Sequence, residues 1–167
     1  QLRWADRNLP IFNGLRVAFS RTGFLLRGAK MDLKPADIRD VWPIVKSGLE
    51  IVQQSSCQTW IPEDIYAACV SGQGVLYTAG QMCLGNERFL VVQSQRCPIE
   101  RVSKLLLRVA FDPCEGTAIQ FASECEEIAR DTGHTAIEFV TSIDKLGLLS
   151  ESFGYKRVSS LYRKNLL

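Results

Sequence analysis

Few side chains in this sequence are spaced to do chemistry. The single histidine, His134, comes directly after a glycine that ends a helical pattern, where the helix dipole favours a cation. The 6 cysteines, at positions 57, 69, 83, 97, 114 and 125, include no CxxC pair. With one histidine beside them they make no metal-ligand set. They read as reduced, mostly buried, small apolar residues, which points to a reducing compartment. Cys114 and Cys125 have no base at a recognised spacing, so neither is read as a nucleophile. Glu138 sits in the alternating run Thr135-Ala136-Ile137-Glu138-Phe139. A general base can stand there, although a solvated or ion-paired carboxylate is the commoner occupant. One segment has the makings of an anion site: Asp112-Pro113-Cys114-Glu115-Gly116-Thr117-Ala118 leads from an apolar strand into a helix. The first N–H groups of a helix are unsatisfied, and a glycine before them lets backbone approach a ligand closely. The competing reading is an ordinary strand-to-helix turn closed by a Thr117/Gln120 capping box.

The elements that must position these residues follow from the pattern. With 167 residues, 46% hydrophobic and 23% charged, the chain is long enough for one domain with a substantial core. That composition excludes disorder, collagen and coiled coil. No apolar run reaches the roughly 18 residues of a membrane span, so no membrane partner is expected. Leu33–Pro35 is a short first strand. Asp37 or Asp40 caps a helix carrying Ile38, Val41, Trp42, Val45, Leu49 and Val52 on one face. With Asp40 as the cap, Pro43 falls in the tolerated first turn. A second helix runs from Pro62 to Gly72, and Trp42 and Trp60 read as core or groove-lining residues of this helical pair. Strand-like runs follow at Gly74–Ala79, Arg88–Gln95 and Val102–Phe111. Then come a helix from Thr117 to Asp131 with Gly133 as its C′ residue, a strand at Thr135–Val140, a helix at Asp144–Phe153 and a last strand at Tyr155–Tyr162. The order β-α-α-β-β-β-α-β-α-β describes an α/β (α+β) domain, one mixed sheet with helices on both faces.

Charge divides the chain. Residues 1–30 hold six basic side chains and one acidic, while the remainder holds 14 basic and 17 acidic. The first segment, with Phe12, Phe19 and Phe24 among its arginines, stands apart from a domain spanning 31–167. It reads as a leader before Met31, as an Arg-rich targeting peptide, or as an arm that docks on a protein partner, on a second copy, or on a nucleic-acid backbone.

Three local signatures accompany the element order. They are Ala36-Asp37-Ile38-Arg39-Asp40-Val41-Trp42-Pro43-Ile44-Val45, then Ile61-Pro62-Glu63-Asp64-Ile65 through Gly72 into Val75-Leu76-Tyr77-Thr78-Ala79, and Leu148-Leu149-Ser150-Glu151-Ser152-Phe153-Gly154-Tyr155. Together they resemble the GNAT (N-acetyltransferase-like) superfamily and, more narrowly, the small GNAT-like proteins of tailed bacteriophages, from about residue 31 to 166. The resemblance implies a mixed, mostly antiparallel sheet in which Val102–Phe111 and Thr135–Val140 are parallel neighbours that splay apart, with acetyl-CoA in the gap. It implies cofactor contacts at Val109, Ala110 and Phe111 and, on the family's Gln/Arg-x-x-Gly-x-Gly/Ala form, at Gly116, Thr117 and Ala118. The chain departs from that form at Pro113, which replaces Gln/Arg and offers no N–H. Asp112 and Glu115 add negative charge where a pyrophosphate would lie, a like-charge conflict of about 1 kcal/mol or more at short range. The tyrosine that protonates the departing thiolate in many members corresponds here to Ser150, a far weaker acid. Ser150 and Glu138 are the remaining catalytic candidates, and Tyr155 and Tyr162 read as packing.

Two functions fit this pattern. One is a phage-type, acetyl-CoA-dependent N-acetyltransferase with weak or absent transfer to an amine and no metal. The other is a non-catalytic structural or assembly module of a phage particle that docks through its basic arm. The expected locations are the host cytoplasm and the virion.

Overall fold

The computed structural model describes residues 11–12, 15–16, 32–55, 59–80, 87–97, 102–113, 118–140 and 150–158. Two strands, β1 (Ile11–Phe12) and β2 (Leu15–Arg16), form a small antiparallel ladder of their own. The Asn13-Gly14 dipeptide between them is a strong hairpin signal that the charge-based reading of this segment passed over. The main sheet has the order β3-β4-β5-β6-β7, built from β3 (Leu33–Ala36), β4 (Val75–Ala79), β5 (Phe89–Cys97), β6 (Val102–Phe111) and β7 (Ala136–Phe139). All neighbours are antiparallel except β6 and β7, which pair in parallel. The expected parallel neighbours are therefore present, joined through the helix between them. Of the expected helix Asp144–Phe153, residues 150–152 form a helical turn. Tyr155–Val158 carry no strand, and the rest of both expected elements lies outside the described residues.

Helix α1 (Ile38–Ser55) begins where Asp37 accepts the N–H of Arg39 at 2.9 Å. Asp37, not Asp40, is therefore the cap, and Pro43 lies inside the helix, beyond the first turn. The N–H that Pro43 lacks would have bonded the Arg39 carbonyl, a defect of roughly 3 kcal/mol that the buried face must offset. That face is strong: Val45, Leu49 and Val52 are all 0% exposed. Helix α2 (Pro62–Val70) starts with proline at its first position, and Asp64 reaches back to accept the Ile61 N–H at 3.0 Å. Lys46 binds Glu63 at 2.7 Å and Trp42 packs on Tyr66 with centroids 4.7 Å apart, fastening α1 to α2.

The sheet is covered on both sides. Ile38, Leu49 and Ile65 of α1 and α2 pack with Leu76, Phe89, Val91, Val109 and Phe111 on one face. Helix α3 (Ala118–Asp131) packs Phe121, Cys125 and Ile128 on Leu90, Val92, Leu105 and Ala110 of the other. Helix α3 ends as expected at Gly133, whose φ is 72°. The Gly133 N–H bonds the Arg130 carbonyl and the His134 N–H bonds the Ala129 carbonyl, the paired bonds of a Schellman motif.

Helix α1 approaches the sheet closely at Gly48, above the cross-strand pair Phe89 and Phe111, whose rings lie 5.4 Å apart. A Cβ on Gly48 would stand 2.7 Å from Cε1 of Phe89 and 2.9 Å from Cδ1 of Phe111. Alanine at this position gains about 1 kcal/mol of helix propensity but overpacks against two buried rings, at about 1–3 kcal/mol. Gly48→Ala is expected to lower the midpoint of urea unfolding, and Gly48→Val to lower it further. An unchanged or raised midpoint for Gly48→Ala would mean that the rings move aside without cost.

Candidate functional site

The register of β6 holds the key to the site. Along β5, Val91 faces Val109 but Val92 faces Leu107, so Arg108 is an extra residue on β6. Such a bulge bends its strand and increases the local twist. It also changes which way the following side chains point. Leu105 and Leu107 lie on the α3 face, and simple alternation would send Val109 there too. Instead Val109 and Phe111 point toward α1 and Ala110 toward α3. Strand β7 stops at the same place: it pairs with β6 only from Lys104↔Ala136 to Leu107↔Phe139. From Arg108 to Phe111, β6 keeps β5 on one side and is not paired with β7 on the other. Strand residues direct their N–H and C=O groups alternately to the two sides, so among the described residues this segment offers backbone donors and acceptors along an open edge.

The expected cofactor residues divide accordingly. Val109, Ala110 and Phe111 are 0%, 2% and 5% exposed, so their side chains belong to the core and only their backbone can serve the edge. Ala118 opens α3, while Gly116, Thr117 and Glu115 lie outside the described residues. Asp112 departs from expectation. Its side chain is fully buried and ion-paired, Oδ1 lying 3.4 Å from Nε of Arg88, which is 30% exposed. Its charge is thus matched within the protein and does not oppose an anion beside α3. Pro113 remains a missing donor.

The expected catalytic residues have structural partners. Glu138 on β7 binds Lys104 on β6 at 2.9 Å, a cross-strand ion pair on the face opposite α3. Ser150 is 8% exposed, and its carbonyl receives the N–H groups of Phe153 and Tyr155. Tyr155 packs edge-on against Phe139 with centroids 5.3 Å apart, and burial, helped by the nearby Cys125 and Glu126, pushes its phenol up to about 12. A phenol held neutral to that extent is a poor proton donor near neutral pH. Tyr162 lies outside the described residues.

His134 is also engaged. Thr132 Oγ1 donates to the Ile128 carbonyl at 2.6 Å and therefore accepts from His134 Nδ1 at 2.7 Å. Nε2 is hydrogen-bonded to the Ser94 hydroxyl at 2.8 Å, so the imidazole fastens the end of α3 to β5. Burial raises the Cys69 thiol to about 11 and, with Glu124 and Glu126 adding, the Cys125 thiol to about 12. Both are inert thiols at neutral pH. A cavity of about 240 Å³ lies away from the β6 edge, between the start of α1, the end of α2 and β4, with Cys69 in its wall. Among the described residues no group of three His, Cys, Asp or Glu is placed to hold a metal, and no helix is long and apolar enough to cross a membrane.

The sequence reading missed Arg108, whose Nε donates to Gln93 Oε1 across the β5–β6 pair at 2.7 Å. One signal was present: Arg108 interrupts the apolar run Leu105-Leu106-Leu107-Arg108-Val109-Ala110-Phe111 at the bulged position.

No protein-family profile and no curated protein matches the sequence. Solved structures do match. A Pyrococcus furiosus protein assigned as an acetyl transferase aligns with a TM-score of 0.61 at 16% identity, over 81% of this chain and 100% of its own. A Clostridium acetobutylicum protein, described as a predicted acetyltransferase with acetyl-CoA, aligns with a TM-score of 0.57 at 15% identity, over 80% and 95%. A Trypanosoma brucei acetyltransferase aligns with a TM-score of 0.52 at 14% identity, over 81% and 99%. At such identities the likeness establishes the fold, which is the GNAT-like acetyltransferase fold.

Two outcomes follow from the buried groups. Asp112→Ala removes the fully buried carboxylate that faces the partly exposed Arg88 and should cost on the order of 2 kcal/mol in urea unfolding. A loss below about 0.5 kcal/mol would mean that the pair contributes little. Tyr155 sits above the ordinary phenol value when folded, so the folded state holds its proton over a range where the unfolded chain has released it. Stability should therefore fall as pH rises from about 10 through about 12, and Tyr155→Phe should flatten that fall.

Proposed function

We propose that this chain binds acetyl-CoA along the open edge of β6 and transfers its acetyl group, slowly, to an amine. The observation that carries the reading is the coincidence of the Arg108 bulge with the end of β7 pairing at Leu107↔Phe139. Among the described residues, that coincidence leaves Arg108–Phe111 with an open backbone edge inside the sheet. An extended arm bearing amide groups, such as pantetheine, can bond such an edge as an added strand would. The acetyl-CoA carried by the Clostridium acetobutylicum protein of the same fold supports this choice of ligand.

The residues fit the group in part. The backbone of Val109, Ala110 and Phe111 would hold the arm, and the N-terminus of α3 at Ala118 would face the phosphates, with Gly116 and Thr117 before it. The internal pairing of Asp112 with Arg88 removes one objection to an anion there, while Pro113 withholds one N–H. When bound, the cofactor supplies an acyl group activated as a thioester. The chain's own contribution to the chemical step is small. Ser150 is buried, Tyr155 is packed on Phe139, and Glu138 is engaged by Lys104, so no described side chain is poised to donate or accept the transferred protons. Slow transfer follows from that inventory.

The likeness to tailed-phage members rests on the sequence signatures alone, and the arm's role as a docking element rests on its charge and phenylalanines. The test is calorimetric titration of the full chain with acetyl-CoA at physiological salt. Binding is expected with Kd on the order of 100 μM. No heat up to millimolar acetyl-CoA would refute the proposal, and submicromolar affinity would overturn the expectation of a weakened phosphate cradle.

A further inference from the structure

Arg108 occupies a position that the proposed transfer does not explain. It is the extra residue of the bulge, its side chain is exposed, and it stands where β7 stops pairing, at the closed end of the open edge. It lies on the face opposite α3, because Leu105 and Leu107 point to α3 and because Gln93, to which Nε is bonded at 2.7 Å, follows Val92 of the α3 face. Two neighbouring cations have carboxylate partners: Lys104 of β6 is paired with Glu138, and Arg88, just before β5, with Asp112. Arg108 is held instead by a neutral amide. That bond uses Nε, fixes the plane of the guanidinium, and leaves both terminal nitrogens with no acceptor among the described residues.

We infer that Arg108 is the specificity residue of the acceptor subsite and selects an amine that also carries a carboxylate, such as an amino acid or a peptide with a free C-terminus. The inference rests on the proposed use of the β6 edge. Its physical basis is the fork of the guanidinium, whose terminal nitrogens match a carboxylate with two parallel hydrogen bonds. Pre-orientation by Gln93 reduces the entropy lost on binding. The anion is not the cofactor's pyrophosphate. That group would lie beyond Phe111, about 10 Å further along the strand, and toward α3 on the other face. Nor does the site suit a phosphomonoester: Lys104 and Glu138 cancel, so Arg108 leaves one net positive charge for a dianion of about −1.5 to −2.

The experiment titrates the full chain with N-acetylglycine and N-acetylglycinamide, products that differ only in the carboxylate, in the absence of acetyl-CoA. The acid should bind about tenfold more tightly than the amide. Arg108→Gln should abolish that preference, and Arg108→Lys should keep only part of it, because a point charge replaces a fork. Gln93→Ala, which retains the guanidinium but frees it, should weaken the preference and guards against an effect of the Arg108 variants on folding. Equal affinity for acid and amide, a preference that survives Arg108→Gln, or no binding of either up to 10 mM (about −2.7 kcal/mol) would overturn the inference. Tighter binding of O-phosphoethanolamine than of the acid would overturn it in favour of phosphate. Acetyl-CoA titration of wild type and Arg108→Gln separates the two claims. If acetyl-CoA binds while acid and amide do not differ, the subsite fails alone. If the preference stands while acetyl-CoA does not bind, the transferase reading fails and Arg108 keeps its selection of a carboxylate but loses the role of acceptor residue.

Discussion

Much of this structure depends on one inserted residue in the middle of its sheet. Arg108 cannot be accommodated in the β5–β6 ladder without shifting its register, and the shift has consequences in three directions. It turns Val109 and Phe111 toward α1, where they complete the core beneath that helix. It turns Ala110 toward α3, where a small side chain shares the space with Phe121 and Cys125. It also coincides with the point where β7 leaves the strand, so that among the described residues the sheet acquires an open edge within its body. Strand edges inside a folded domain are costly unless something pairs with them. A bulge beside a site is a common way to terminate pairing and re-aim a side chain.

The bulge is tolerable because the two faces are packed independently. On one side α1 lies close to the Phe89–Phe111 pair, a proximity that Gly48 makes possible by having no side chain. This contact ties the helix to the end of β6 that adjoins the open edge. On the other side α3 follows β6 in the chain and ends in the Schellman turn at Gly133, from which His134 reaches Ser94. The end of α3 is thus anchored to β5, and β7 is laid down in parallel as a consequence of that crossover. Fold and site are not separable here: the elements that bury the core also bound the edge.

The electrostatics show the same economy. Carboxylates that could have served chemistry or opposed a bound anion are instead used in pairs, Glu138 with Lys104 and Asp112 with Arg88. Thiols and the Tyr155 phenol are pushed upward by burial and stay neutral. Around the β6 edge, what remains for a ligand among the described residues is backbone polarity, the start of α3 and the Arg108 guanidinium. Such a site binds and orients better than it moves protons.

Local rules were enough to read most elements from the sequence. The apolar spacing of Ile38, Val45, Leu49 and Val52, the strand-like runs of β4 and β5, and the glycine stop at Gly133 are short-range properties, and the elements that carry them appeared within a few residues of their expected bounds. The GNAT-like signatures likewise lie in contiguous stretches. Tertiary structure decided whatever depended on register or partner. Pro43 moved inside α1 because Asp37, not Asp40, proved to be the cap, a choice that propensity leaves open. Asp112 looked like an obstacle to an anion because nothing in the sequence tells that Arg88 stands across a β ladder from it. Glu138 kept its status as a possible base until the parallel register set it beside Lys104. The face on which Arg108 emerges follows from a one-residue slip, and a slip reverses every side chain beyond it. Alternation along one strand carries no information about the strand beside it, so only the assembled sheet could fix that residue's place.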